Sequence, residues 1–416
     1  MERLVLAILA LALLLRYPVH FLLHPPFLMD FEVYRAVAQR ALTGEAAALY
    51  APTTAGSDMM MFRYAPPWAL LWAPLGWLPP LPAAIAWTAG SVGALIAALI
   101  FSARSCQAAG LRPHALLALP AAFAIIRPLA EEMGNGQVNL LWIALIAGAV
   151  LATLRGRRWL AGCAFASAIL LKLPAAVYLP YFVARGQRWL AAATAGLAAL
   201  ATLVASALLL PSRPLQLALD WTGSLIHSGA HTFDIGNQSI LALLGRLLTA
   251  DRHGLNIAVL PRAILPWLAL ALLAACFVLI AVPARSRQPS RQFLFESAML
   301  AVVMVLFSPS AWLATYAALV FPAYVACAGL AQPQARRDRA AVACALVVLL
   351  LVLLTHHRAW TLMGLTSWRG ETYLFLVFMV LPWTGLALLA LLWRLRRRLA
   401  PAAAAAAGTR RSAAWI

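Results

Sequence analysis

Long apolar runs recur along most of the chain, and short polar stretches rich in arginine separate them. A transmembrane helix needs about 20 apolar residues to cross the hydrocarbon core of a bilayer. The runs over 159–171 and 173–184 are shorter, and we expect two half-length helices broken at Lys172, because Pro174 removes a backbone donor and disfavours helix before it. The pattern therefore predicts about twelve passes, over residues 4–23, 82–103, 114–130, 137–154, 159–171, 173–184, 189–211, 258–283, 292–308, 312–331, 340–356 and 371–393.

The composition supports an all-α polytopic membrane protein. Hydrophobic residues make up 64% of the chain and charged residues 11%. In a soluble domain about 45–50% of the residues are apolar and about 25% are charged. No small-residue cleavage site follows the first run, so we expect a retained span rather than a signal peptide. We expect one membrane domain over 1–398 and a disordered, low-complexity cytoplasmic tail over 399–416. The five cysteines lack metal-ligand spacing.

The net charge of +19 could suggest a nucleic-acid partner, but the arginines cluster between apolar runs, where they set topology. With the N-terminus inside, every arginine-dense cluster falls on one side of the bilayer. We therefore expect the lipid bilayer, not nucleic acid, as the partner of these charges. This arrangement predicts an inner (plasma) membrane protein with both termini cytoplasmic and with two long extracytoplasmic loops, over 24–81 and 212–257.

The first outer loop contains the best candidate for a catalytic group. The segment from Asp30 to Thr43 has helical propensity and ends at Gly44, so we expect a short helix at the membrane interface. Asp30 and Tyr34 share one face of that helix, and Glu32 points elsewhere. A carboxylate at a membrane–water boundary can act as a general base towards a hydroxyl. The alternative is that Asp30 only caps the helix.

Further candidates lie in the same loop and after the third predicted span. Arg63 and Tyr64 enter the proline-broken, tryptophan-rich segment 65–81, which we expect to be re-entrant or interfacial. They could form a platform for a sugar or a lipid headgroup, or an aromatic belt with a snorkelling arginine. Arg127 precedes a glycine turn that presents Gln137, with Asn139 in the next helix. The alternative there is a tight turn in which Arg127 pairs with a glutamate one helical turn away.

Cations on the outer side could receive a phosphate. Lys172 is the only lysine and lies in an interrupted span, near no obvious acid. An ionisable residue at membrane depth is a functional hypothesis by default, and the alternative is a snorkelling helix-end lysine. Arg358 and Arg369 are further phosphate candidates, and the alternative for both is ordinary outer-loop polarity.

The second long outer loop ends in a polar run that suggests a pocket. His231, Asn237 and Gln238 belong to this run, and Trp312 follows a later span on the same side. His227 and His231 are four residues apart and could bind a metal on a helix, but two ligands do not define a site. We therefore predict no metal and no cofactor.

Six motifs, in chain order, resemble those of the family 87 glycosyltransferases, and the resemblance runs from the first span to about residue 325. They are Asp30–Tyr34, Phe62-x-Tyr64-x-Pro66, Gly136-Gln137-x-Asn139, Lys172-x-Pro174, Asn237–Ser239 and Ser308-Pro309-x-x-Trp312. That family belongs to the GT-C superfamily and resembles polyprenol-phosphate-mannose-dependent mannosyltransferases.

The resemblance implies a GT-C-like fold with a catalytic aspartate at Asp30. It implies a polyprenyl-phospho-sugar donor, with mannose as the expected sugar, and a glycolipid or glycan acceptor. A second acid directly before Asp30 is absent, because Met29 stands there. The predicted substrate-binding residues are Tyr34, Arg63, Tyr64, Gln137, Asn139, His231, Asn237, Gln238 and Trp312.

The resulting hypothesis is an inverting transfer in which Asp30 activates the acceptor. A retaining mechanism would need a second, nucleophilic carboxylate close by. The donor phosphate would be held by Lys172, Arg127, Arg358 and Arg369. The alternative is a secondary transporter or a flippase of a polyprenyl-linked sugar, since broken spans also fit transporters. Polar residues gathered on one side of the membrane, without an inverted repeat, favour the enzyme.

Overall fold

The computed structural model describes residues 28–53, 61–227, 233–250, 254–281, 286–364 and 374–400, and within them the regular elements are helices. The predicted all-α class is thereby confirmed. The first predicted span, 4–23, and the tail beyond residue 400 lie outside the described residues. The α-helices are α1 (Met29–Leu42), α2 (Pro66–Trp72), α3 (Pro80–Ala108), α4 (Ala118–Ala124), α5 (Ile126–Asn135), α6 (Asn139–Leu154), α7 (Arg158–Leu171), α8 (Tyr178–Ala184), α9 (Arg188–Leu209), α10 (Pro214–His227), α11 (Ile240–Leu248), α12 (Leu265–Ala281), α13 (Pro289–Leu306), α14 (Val320–Leu330), α15 (Pro333–Arg336), α16 (Arg339–Leu354), α17 (His357–Leu362), α18 (Leu374–Val377) and α19 (Val380–Leu399).

Several of these helices are long and apolar enough to cross a bilayer. By length and composition the described residues contain five such helices, or six if the bent pair α5–α6 is one span. The chain is therefore a helical membrane protein. The prediction of about twelve passes stays a prediction. The five are Pro80–Ala108, Arg188–Leu209, Arg262–Ala281, Pro289–Leu306 and Leu313–Leu330.

The centre of the bundle is formed by α13 and by the helical segment Leu313–Leu330. The protein interior buries 78% of the apolar part of α13 and 89% of the segment Leu313–Leu330. It buries only 11% of Arg262–Ala281. Helix Arg262–Ala281 therefore presents most of its apolar surface outward. In a bilayer that surface would face lipid, which is as apolar as the side chains themselves.

The chain breaks where the sequence predicts, at Lys172. Helix α7 ends at Leu171, Lys172 is extended (φ −147°, ψ 117°), and a 3₁₀ turn over Leu173–Val177 leads into α8. Pro174 occupies the second position of that turn, where its missing N–H costs no helical hydrogen bond. The backbone N–H of Ala65 donates to the Leu170 carbonyl at 3.1 Å. This bond fixes the loop before α2 beside the break.

Buried charge clusters tie the C-terminal helix α19 to the bundle. Glu296 of α13 is 1% exposed and accepts from Arg185, from Arg396 of α19 at 3.3 Å and from the Tyr181 hydroxyl at 2.8 Å. These partners satisfy a carboxylate that would be costly to bury alone.

A second cluster lies at the start of α16. Asp338 caps this helix by accepting from the backbone N–H groups of Ala340 and Ala341. It also accepts from Arg394 at 2.8 Å and from Arg398 at 2.9 Å, both in α19. The guanidinium of Arg394 holds the pKa of this carboxyl well below its usual range. Helix α19 is thus anchored to α13 and to α16 through charged side chains.

Candidate active site

A cavity of about 800 Å³ opens where α1, the loop before α2, the α5–α6 turn and the Lys172 break meet. Its wall has a polar part and an apolar part. The polar part includes Asp30, Arg63, Tyr64, Arg127, Glu131, Gln137 and Lys172. The apolar part includes Leu170, Val177, Leu273, Val303, Met304, Phe307, Leu313 and Phe375. An apolar wall beside a few convergent polar groups is typical of a ligand site.

Asp30 lies in the first turn of α1, which begins at Met29. The helix N-cap is Leu28, which forms no side-chain cap hydrogen bond. The alternative of Asp30 as the N-cap is therefore wrong, because capping by Asp30 requires a helix that begins at residue 31, and the helix begins at Met29; errors of this size are common at helix ends. The Asp30 Oδ2 instead accepts from the Gln137 Nε2 at 2.6 Å.

Burial is the main influence on the ionisation of Asp30, which lies outside the candidate spans. Burial raises the pKa of this carboxyl above its usual value, and the hydrogen bond from Gln137 and the charges of Lys172 and Arg63 act in the opposite direction. Low polarity favours the neutral acid, and nearby donors and cations favour the carboxylate. Perturbed carboxyl groups in clefts are candidates for catalysis.

An aromatic cluster positions α1. The Tyr34 ring lies 4.7 Å from the Trp72 ring and 5.0 Å from the Trp87 ring, and Phe31 lies 5.6 Å from Trp87. The Trp87 Nε1 donates to the Gly136 carbonyl at 2.8 Å. The cluster therefore connects α1 to the turn that carries Gln137, and it sets the distance between that turn and Asp30.

The turn itself depends on Gly136. Its φ of +69° is in the left-handed region, where side chains other than glycine are strained. A Cβ at this position would also lie 2.8 Å from the Phe31 Cβ. The helix direction consequently bends by 117° between α5 and α6. This sharp bend aims Gln137 at α1.

Behind Gln137, a chain of buried side chains connects the turn to Lys172. The Asn139 Nδ2 donates to the Glu132 Oε2 at 2.6 Å and to the Gln137 Oε1 at 3.4 Å. The Lys172 Nζ donates to the Asn139 Oδ1 at 2.5 Å. The Glu132 Oε1 accepts from the backbone N–H of Leu140 at 3.0 Å. Asp30 and Lys172 are thus joined through Gln137 and Asn139.

Glu132 was not singled out as a site residue from the sequence. It is 1% exposed, and its charge acts on Lys172, as does that of Asp30. No acid lies near Lys172 along the chain, and the acids that act on it come from distant segments. The available signal was a pair of adjacent acids, Glu131 and Glu132, between two predicted spans, because an ionisable residue at membrane depth marks a functional or structural site.

The cationic side chains that were predicted to bind the phosphate fall into two groups. Lys172, Arg127 and Arg63 line the cavity, although Arg63 was predicted as a general substrate contact. Arg127 also lies 3.8 Å from Glu131, which is the pairing that the sequence offered as the alternative. Arg358 is exposed on α17 and does not line this cavity. Arg369 lies outside the described residues.

Three predicted substrate contacts place aromatic groups on the cavity wall. Tyr34, Tyr64 and Trp312 all line it, and the hydroxyls of Tyr34 and Tyr64 are 3.0 Å apart. Burial raises the pKa of both tyrosines, so both hydroxyls stay protonated. Trp312 packs against Gly236, where a Cβ would overlap the indole ring. These flat surfaces suit the apolar face of a sugar ring.

Asn237 and Gln238 brace the wall from behind. Both are 0% exposed. The Asn237 Oδ1 accepts from the backbone N–H of Ser239 at 3.0 Å and of Ala311 at 3.2 Å, and its Nδ2 donates to the Pro309 carbonyl at 2.8 Å. The Gln238 Nε2 donates to the Leu376 carbonyl at 3.1 Å.

The geometry therefore gives these two amides a supporting position instead of the predicted substrate contact. They hold the segments that present Trp312 and Leu376 to the cavity. His231 lies outside the described residues.

Arg246 is a further residue that the sequence interpretation missed. This guanidinium is 3% exposed and donates to the carbonyls of Asp234 at 3.1 Å and Ile235 at 2.7 Å and to that of Leu376. It thus holds the end of the second outer loop against the segment before α19. An arginine inside an apolar helix was the signal that could have revealed it.

Chemically, the cavity combines the Asp30 carboxylate, which can accept a proton, with several cations and an apolar wall. Within the described ranges, no group of three or more His, Cys, Asp or Glu side chains could hold a metal ion. A membrane protein with such a cavity can bind a molecule that has both an anionic group and an apolar part. The fold and the site define an integral membrane protein with a ligand cavity between α1, the α5–α6 turn and the break at Lys172.

The family follows from comparison with known proteins. The family model "Glycosyltransferase family 87" matches residues 62–309, which is more than half of the chain. This protein belongs to that family, as its motifs indicate, and is a membrane glycosyltransferase that uses a sugar donor and an acceptor. Asp30 precedes the matched segment, whereas Gln137 and Lys172 lie within it. No curated protein and no solved structure matches the chain.

Proposed function

We propose that this protein transfers a sugar, with mannose as the expected one, from a polyprenyl-phosphate donor to a glycolipid or glycan acceptor. The reaction takes place on the extracytoplasmic side of the inner membrane and inverts the anomeric centre. One observation carries the proposal. The Asp30 carboxylate lies at the polar end of a cavity that also holds Lys172 and Arg63 and that continues along an apolar wall.

Asp30 acts as the general base in this proposal. Its ionised carboxylate takes the proton from an acceptor hydroxyl, and the oxygen attacks the anomeric carbon of the donor sugar. The bond from that carbon to the phosphate oxygen breaks, and polyprenyl phosphate leaves with the electron pair. A positioned base contributes about 10²–10⁴-fold to such a step. The proton remains on Asp30 until it is lost to water.

Lys172, Arg63 and Arg127 offset the charge of the phosphate as it leaves. Preorganised cations in a site of low polarity stabilise a developing negative charge more than they would in water. The apolar residues Val303, Met304 and Phe307 cover the prenyl chain near the phosphate. Tyr34, Tyr64 and Trp312 surround the sugar. Each group lines the same cavity, which supports simultaneous contact with both parts of one donor.

Gln137 and Glu132 act through other residues in this scheme. Gln137 orients Asp30 through the 2.6 Å hydrogen bond and favours its ionised form. Glu132 holds Asn139, which receives the hydrogen bond from Lys172. We assign both as positioning residues. A transfer that inverts the anomeric centre in one step needs no nucleophilic carboxylate. The other acid on the cavity wall, Glu131, pairs with Arg127 and has no catalytic role in this proposal.

The proposal is tested with the full-length protein in nanodiscs, given radiolabelled polyprenyl-phospho-mannose and a lipid extract as the acceptor source. We expect a labelled glycan or glycolipid whose anomeric configuration, read by NMR, is opposite to that of the donor. Asp30→Asn should form product about 10²–10⁴-fold more slowly and still bind the donor. Retained configuration would overturn inversion, and transfer from a nucleotide sugar alone would overturn the donor class. Label that accumulates in proteoliposomes without a new glycan would identify a transporter.

A further inference from the structure

A second concave site lies at the far end of α7 from the cavity. It has a volume of about 660 Å³ and is lined by Gly156, Arg157, Arg158, Trp159, Leu160 and Trp189. Helix α7 runs 14 residues from Arg158 to Leu171, which is about 21 Å along the helix axis. The site therefore shares no lining residue with the cavity, and it belongs to the arginine-rich loops on the other side of the bundle.

Two tryptophans form the apolar part of this site. The rings of Trp159 and Trp189 meet edge to face with centroids 4.8 Å apart, yet the two residues are 66% and 42% exposed. Such large aromatic surfaces are rarely left to water. Tryptophan is enriched at the membrane–water interface, where its ring is buried and its N–H remains hydrated. The pair thus marks the headgroup level at this end.

The charges around the tryptophans are all positive. Arg155, Arg157, Arg158 and Arg188 are exposed, and the connecting segments 155–158 and 185–188 contain no acidic residue. Their field is therefore not neutralised within these segments. It favours an anionic group at the surface, where each basic residue contributes about fivefold to binding of an anionic membrane.

An apolar stripe lies further along α9, on the same face as Trp189. Leu200, Leu203, Val204 and Leu208 are exposed by 59%, 50%, 49% and 67%. Their spacing places them on one face of the helix. Leu200 follows Trp189 by eleven residues, about three turns, so the stripe lies on the same face as the tryptophan and begins about 16 Å further along the helix. Helix α9 is one of the candidate spans, and this face is available to acyl chains.

We propose that this site binds one anionic phospholipid. Its phosphate contacts Arg157, Arg158 and Arg188, its glycerol region packs between Trp159 and Trp189, and its acyl chains follow the exposed face of α9. The charge selects an anionic headgroup over a zwitterionic one, and the stripe selects a lipid over a soluble anion. The inference is independent of the sugar-transfer proposal, because it uses none of the cavity residues.

The test is native mass spectrometry of the full-length protein in detergent, titrated with phosphatidylglycerol or with phosphatidylcholine of the same acyl chains. We expect one phosphatidylglycerol to remain bound at concentrations that leave phosphatidylcholine unbound. The double variant Arg157→Gln, Arg158→Gln should bind phosphatidylglycerol about 30-fold more weakly, since each arginine contributes about fivefold. Trp189→Leu should weaken both headgroup types alike, and this variant keeps every charge.

The matched control is the double variant Arg336→Gln, Arg337→Gln, which removes two exposed arginines elsewhere and should bind like the unaltered protein. An equal loss in this control would show that net charge, not the site, sets the affinity, and the proposal would be wrong. Equal binding of both lipids to the unaltered protein would also overturn it, as would inorganic phosphate that displaces the lipid completely. A thermal melt of each variant separates loss of binding from loss of fold.

Discussion

The side-chain amide of Gln137 donates to the Asp30 carboxylate across 2.6 Å, although 107 residues separate the two along the chain. The bond joins the first turn of α1 to the turn between α5 and α6. It connects the residue that we propose as the base directly to the segment that the family model matches.

Replacing Asp30 by asparagine should strongly slow sugar transfer. Asparagine preserves the shape and can still accept from Gln137, but it cannot take a proton, so we expect the rate to fall by about 10²–10⁴-fold. The measurement is the initial rate of product formation together with donor affinity, which should change little.

The matched control is Glu32→Gln, two residues along the same helix. Glu32 pairs with Arg35 at 3.3 Å, and a partly exposed pair of this kind contributes about 0–1 kcal/mol. We expect nearly unaltered activity for Glu32→Gln. Transfer by Asp30→Asn at the unaltered rate would falsify the assignment of the base.

Replacing Gln137 by leucine should shift the pH profile of the transfer rate. Asp30 must be ionised to act, so activity falls as the pH decreases through its pKa. Burial raises that pKa and the Gln137 hydrogen bond lowers it. Loss of the bond therefore raises the pKa further and moves the acidic limb of the profile to higher pH. Gln107→Leu, at an exposed position late in α3, should leave the limb in place.

Lys172 and Arg358 should respond differently to loss of charge, although both were predicted to bind the donor phosphate. Lys172 lines the cavity and Arg358 does not. Lys172→Gln should raise KM for the donor on the order of tenfold, the size expected for a hydrogen bond to a charged group. Arg358→Gln should leave KM unchanged. Steady-state kinetics against donor concentration decide, and the reverse ranking would contradict the assignment.

Gly136→Ala should reduce both thermal stability and activity. The substitution introduces strain at φ +69° and places a methyl group 2.8 Å from the Phe31 Cβ, which would push Gln137 away from Asp30. The control Gly186→Ala has a φ of +75° with no atom within 4 Å of the added methyl group. Strain alone should lower its free energy of unfolding by about 1–2 kcal/mol, which is seen as a lower melting temperature. The activity should be kept. Equal activity losses in both variants would argue against a specific role of the turn.

Local signals in the sequence predicted much of the backbone near the site. Pro174 acts on its immediate neighbours, so the break at Lys172 could be placed to the residue. Gly136 likewise marked the turn. Helix α1 was predicted over 30–43 and is found over Met29–Leu42. The capping interpretation of Asp30 required a start at residue 31, so a difference of two residues was enough to make it wrong.

Tertiary pairings could not be predicted in the same way. A polar loop looks the same in sequence whether its amides line a cavity or brace it from behind, so Asn237 and Gln238 were expected to contact the substrate. Glu132 and Arg246 become interpretable only when their buried partners are known. The contacts of Lys172 with Asn139 join segments whose proximity depends on the bend between α5 and α6.

The helix α19 has a consequence for biogenesis. Glu296 lies within the segment that the family model matches, whereas Arg396 lies beyond it. Helix α13 is synthesised first, so Glu296 must await the last described helix before it gains its second guanidinium, and Asp338 must await both of its arginine partners. A buried carboxylate deprived of a partner is strongly destabilising. The matched segment alone would lack one of the partners of Glu296, and the bundle gains its full set of charged contacts only when α19 has left the ribosome.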